Sequence, residues 1–122
     1  MSKVLLKVSI ESNNEMHEYT TRGILNEKLN ILIYNGNDIK NRFDFSKNIL
    51  ERENNEIKIF LPFEINKENN AVYYDKQNKI KLNIKLYTNV LRINRHNVYI
   101  EYTLDNTNLF TYKLHLIKII KK

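Results

Sequence analysis

Between residues 79 and 86 apolar and polar side chains alternate without a break, Ile80, Leu82, Ile84 and Leu86 against Lys79, Lys81, Asn83 and Lys85. A period of two belongs to an extended strand with one buried and one wetted face, because successive side chains leave the pleat on opposite sides. The same rhythm runs from end to end, and helical spacing is hard to find. Even positions of the run Val4 to Glu11 are apolar, while the odd ones include Lys7, Ser9 and Glu11. A second extended run covers residues 15 to 25 after Ser12-Asn13-Asn14, and its Gly23 permits a bulge or sharp bend.

Turn residues divide the remainder into short strands. Asn26-Glu27-Lys28 leads into 29 to 34, and Asn35-Gly36, a pair that tolerates positive φ, predicts a type I′ turn into 39 to 45. Strands at 48 to 53 and 56 to 61 flank Asn54-Asn55, the second stopping near Pro62, which cannot donate to a central ladder. Residues 63 to 70 read as a longer connection, 71 to 74 as a short strand, and Asp75 to Asn78 as the turn before the strand at Ile80.

In the last third, Val98, Ile100, Tyr102 and Leu104 share one parity, as do Phe110, Tyr112, Leu114 and Leu116. Centring their turn on Thr107 predicts inward pairs Leu104 with Phe110, Tyr102 with Tyr112 and Ile100 with Leu114. On the outer face it sets Glu101 opposite Lys113, Thr103 opposite Thr111 and Tyr99 opposite His115. About eight to ten strands joined by short turns predict one all-β domain over residues 1–122, an antiparallel up-and-down barrel, since closure removes exposed edges.

The order and spacing of Glu15-Met16-His17-Glu18-Tyr19-Thr20-Thr21-Arg22-Gly23, Ile31-Leu32-Ile33-Tyr34, Leu86-Tyr87-Thr88-Asn89-Val90-Leu91 and Ile100-Glu101-Tyr102-Thr103-Leu104 resemble the YwiB-like family of uncharacterised bacterial proteins. The resemblance spans nearly the whole chain and implies a single calycin-like or lipocalin-like barrel. It departs at Asp75-Lys76-Gln77-Asn78, where the family pattern has a Thr-Pro-Tyr-Gly-like turn. The family brings no established activity or cofactor, so no functional residue is transferred.

Composition narrows the chemistry. Without cysteine there is no disulfide framework, thiolate metal site or cysteine nucleophile. His17, His96 and His115 lack metal-ligand spacing, and no cofactor is implied. With two glycines, phosphate-cradling loops and nucleophile elbows are hard to build. Glu51 and Glu53 share a strand face, a pairing that alternation produces by chance. No secretory signal is read in Met1 to Ser12, and no run approaches the roughly 20 apolar residues of a membrane span. A cytoplasmic protein without a membrane partner is expected.

Three binding roles remain, all non-catalytic. The preferred one is a small apolar or amphipathic ligand inside the barrel, touched by Tyr19, Tyr102 and Tyr112. The alternative is a polyanion or RNA surface made by Lys79, Lys81, Lys85 and Tyr87 with Arg92, Arg95 and His96 in the adjoining loop. It draws on the charge distribution, because residues 62 to 122 hold 11 basic and five acidic side chains and so carry the whole net charge of +6. The 15 lysines and 20 asparagines also fit the bias of an AT-rich coding sequence. Third is a homo-oligomeric interaction module, a homodimer for example, formed through a strand edge or apolar patch.

Overall fold

A computed structural model describes residues 1–94 and 96–121. Ten antiparallel strands follow one another around a closed barrel: β1 Ser2–Ser12, β2 Glu15–Asn26, β3 Ile31–Gly36, β4 Ile39–Asp44, β5 Ile49–Glu53, β6 Ile57–Pro62, β7 Glu68–Asp75, β8 Ile80–Ile93, β9 Asn97–Leu104 and β10 Asn108–Lys121. Each strand pairs with its sequence neighbours, and β1 closes the ring on β10. The expected all-β up-and-down barrel is the observed fold.

Asparagine supplies the tight turns. Among the described residues ten non-glycine residues have positive φ, and seven of them are Asn, whose short polar side chain tolerates the left-handed region. Neither glycine has positive φ. The β3–β4 turn is therefore Asn37-Asp38, at φ 52° and 60°, and not Asn35-Gly36 as the dipeptide suggested. Gly36 instead makes room for a side chain, since a Cβ there would collide with the ring of Tyr19. At Gly23 the β1–β2 register runs without a break, so the expected bulge is absent. An added Cβ would lie 2.9 Å from both the Ile33 carbonyl oxygen and Leu6 Cδ1, so the residue answers a close backbone approach.

The β9–β10 hairpin keeps its predicted faces but slips by two residues. Leu104 pairs with Asn108, Tyr102 with Phe110 and Ile100 with Tyr112. Asp105 and Asn106 both adopt positive φ, and the Thr107 N–H closes on the Leu104 carbonyl at 3.1 Å. That turn centres the hairpin one residue before Thr107, which shifts every partner by two and leaves parity unchanged. Lys113 consequently faces Tyr99, and Glu101 faces Thr111.

The core fills the middle of the barrel. Val4, Leu6 and Val8 of β1 meet Leu32, Tyr34, Phe43, Leu50, Leu86, Ile100 and Tyr112 from the other strands, all at most 2% exposed. Phe63, in the connection after Pro62, is also buried and packs on Tyr102 with ring centroids 5.1 Å apart. The first half of β8 departs from expectation. Ile80 and Leu82, predicted as core, are each 51% exposed. The β8–β9 ladder begins only at Leu86↔Leu104, so residues 80 to 85 outrun β9, and Ile80 and Leu82 project beyond the packed interior.

Candidate functional site

The packed middle leaves the barrel with two ends. At the end carrying the β2–β3, β4–β5 and β8–β9 loops there is a cavity of about 710 Å³. Leu25, Phe45, Ile93, Leu116 and Ile119 give it an apolar lining, and Glu27, Lys28, Asn30, Ser46, Asn94 and His96 contribute polar groups. Strand ends position both sets: Leu25, Ile93 and Leu116 continue the inward rows of β2, β8 and β10, while the polar residues come from the turns that follow or precede those rows. Glu27 is fixed by the Ser2 hydroxyl, which donates to its carboxylate, and the Leu116 N–H donates to the His96 carbonyl at 2.8 Å.

At the opposite end the strands flare. The β2–β3 ladder covers only Gly23 to Asn26, so residues 15 to 22 of β2 leave β3, with the Thr21 hydroxyl donating to the Asn35 carbonyl at 2.8 Å across the gap. Tyr19 stands in this region over Gly36, half-buried. Tyr102 and Tyr112 are buried in the adjoining core, with Tyr112 stacked on Phe43 and Tyr102 on Phe110. The Tyr112 hydroxyl shares a 2.5 Å hydrogen bond with that of Tyr34. The three predicted tyrosines thus gather at one end, and none lines the 710 Å³ cavity at the other.

Burial is what moves their acidity. Desolvation raises the Tyr34 and Tyr112 hydroxyls well above the ordinary tyrosine range and pushes Tyr102 up to about 12; Tyr19 is raised for the same reason. The Arg52 guanidinium opposes the shift at all four hydroxyls. Nothing local in the sequence singles out Arg52, which sits between Glu51 and Glu53 where no parity is visible. Pairing with Asn41 on β4 and Ile59 on β6 turns it inward. The flanking carboxylates face out, Glu51 3.9 Å from Arg42 and Glu53 2.6 Å from Lys76, so each serves an ion pair on the outer face.

The basic residues of the polyanion proposal divide in a different way. Lys81 and Lys85 are exposed on the outer face of β8, with Tyr87 half-buried between Glu68 on β7 and Thr103 on β9. Lys79 belongs to the preceding turn at φ 55°. Arg92 lies within β8 and not in the loop; the register shift between Thr88 and Val90 returns it to the outer face. There Arg92 and Lys113 approach the Tyr99 ring at 5.8 Å and 5.6 Å, and the Tyr99 hydroxyl donates to Glu101. Tyr99 is therefore engaged by its own sheet. Arg95 lies outside the described residues. His96 is exposed at the cavity end, and His115 is exposed and hydrogen-bonded to Asn97 at 2.7 Å.

Ring closure, ten consecutive strands and a plugged middle define a small up-and-down β-barrel with two mouths. Among solved structures, the crystal structure of the ywiB protein from Bacillus subtilis matches it with a TM-score of 0.57, covering 95% of this chain and 91% of that one at 14% sequence identity. At that identity the likeness is one of fold, and at the level of fold it bears out the resemblance read from the strands. No protein-family model matches the chain, and no curated protein does.

Proposed function

We propose that this chain is a non-catalytic binding protein that holds a small amphipathic molecule in one mouth of its barrel. The observation that carries the reading is the cavity of about 710 Å³, within the roughly 300–1,000 Å³ of small-molecule sites. Its make-up supports the same reading: apolar side chains offer surface for a hydrocarbon body, and Lys28, Asn94 and His96 offer polar partners for a head group. The packed core between the two ends supports a ligand seated at the mouth and not threaded through the centre.

The test is equilibrium displacement of 1-aminoanthracene by octanol in the wild-type protein and in Ile119→Trp. Ile119 is 47% exposed, so the larger ring occupies the cavity without entering the core. Saturable binding to the wild type, lost in Ile119→Trp at an unchanged melting temperature, is the expected result. Equal binding by both proteins would remove the cavity from the account.

A further inference from the structure

We infer that the flared end is a second binding site, and that it takes the head group of a small amphipathic anion, a carboxylate or a phosphate monoester, on Arg52. This inference goes beyond the cavity reading and rests on different residues. Charge placed inside a barrel is costly unless an opposite charge meets it. Arg52 is half-buried and directed inward, and its Nε–H donates to Asn41 Oδ1 at 2.9 Å. Asn41 is itself 1% exposed, so the guanidinium is held from a buried anchor. Among the described residues no carboxylate forms an ion pair with Arg52.

The other described arginines look outward. Arg42 meets Glu51, Arg92 lies over Tyr99, and Arg22 is exposed opposite Leu5. A guanidinium carries five N–H donors in a planar fork suited to carboxylate and phosphate oxygens. One is used by Asn41, and no buried side-chain nitrogen or oxygen among the described residues lacks a partner. The rest of the fork is therefore open to solvent at the mouth. The Tyr19 hydroxyl, half-buried beside Gly36, lies close enough to feel its charge and, protonated at neutral pH, is a donor to an anion. Ile10, Ile59, Ile84, Leu104 and Phe110 are partly buried at inward positions around this end, which gives the ligand's body an apolar wall. A bare inorganic anion uses only half of that surface, and a neutral lipid leaves the fork unpaired.

The experiment follows the Arg52 Nε–H resonance of ¹⁵N-labelled protein, assigned by its loss in Arg52→Lys, during titration with octanoate, octyl phosphate and octanol. Octanoate or octyl phosphate should shift it saturably, whichever of the two shifts it at lower concentration being the favoured head group, and octanol should leave it in place. In Arg52→Met the affinity for that anion should fall about 10- to 100-fold, the range of a charge-assisted hydrogen bond. If Arg52→Met does not fold, the wild-type titration alone decides. Saturable binding of octanoate and octyl phosphate with Nε–H unmoved would overturn the anion seat and leave the cavity reading intact. An equal response to octanol would overturn it as well.

Discussion

The hydroxyl pair of Tyr34 and Tyr112 is the part of the interior most open to a quantitative check. Both rings are at most 2% exposed, and each hydroxyl has the other as partner. Tyr34→Phe leaves the Tyr112 hydroxyl buried with nothing to bond, and stranding one such group costs about 1–3 kcal/mol. Tyr112→Phe strands Tyr34 by the same reasoning. The double variant strands nothing and swaps two hydroxyls for the apolar surface that Phe43 already presents to Tyr112. Its cost should fall short of the sum of the single costs by about 1–2 kcal/mol. Urea unfolding followed by far-ultraviolet circular dichroism measures all four corners of the cycle, and each kcal/mol should also move the melting temperature by about 4 °C. Strict additivity would mean that the two hydroxyls do not depend on one another and that this layer is not self-satisfied.

High pH should unfold the protein through the same layer. Tyr102, at about 12 when folded against 10.0 when free, stays protonated after the unfolded chain has begun to ionise. Stability is then fully present below pH 10 and lost as pH rises toward 12, by about 3 kcal/mol from this residue alone; a flat denaturant midpoint from pH 9 to 11.5 would contradict the burial. Gly23→Ala should cost about 1–3 kcal/mol because a backbone carbonyl blocks the new methyl group, whereas Gly36→Ala should cost less because the Tyr19 side chain can rotate aside; denaturant midpoints in the reverse order would refute the close approach. On the outer face, Lys81→Glu combined with Lys85→Glu should change the affinity for a single-stranded RNA less than twofold at low salt, and a tenfold loss would move the function to that face.

What the sequence makes legible follows from how far its patterns reach. Alternation is local, so it identifies the strands, and the predicted inward rows of β9 and β10 are the observed ones. Register depends on where a turn starts, and the left-handed pair Asp105-Asn106 competes with Thr107 on terms that composition does not rank. Gly36 resembles a turn residue because the ring it accommodates, that of Tyr19, is 17 residues away in sequence. Ile80 and Leu82 alternate as core residues do, yet burial requires a neighbouring strand, and β9 ends before reaching them. The abundance of asparagine, which fits codon bias, also has a structural use at seven left-handed positions.

The candidate sites are harder to see for the same reason. Alternation places Tyr102 and Tyr112 inward correctly, but an inward tyrosine is a ligand contact only where space adjoins it, and here the rings of Phe43, Phe63 and Phe110 occupy that space. Arg52 is hidden among three successive charges. A cross-hairpin match about Asn55-Glu56 would have exposed it, since it sets Arg52 opposite Ile59 in the apolar row Ile57, Ile59, Leu61. The cavity draws its lining from loops and strand ends that no periodicity connects.

Chemical-shift mapping of the whole chain during an octanol titration addresses the binding role most directly. Saturable shifts gathered around Leu25, Phe45, Ile93, Leu116 and Ile119 are the predicted result. Shifts absent from that group up to millimolar octanol, or spread over the exterior of β8, would contradict it.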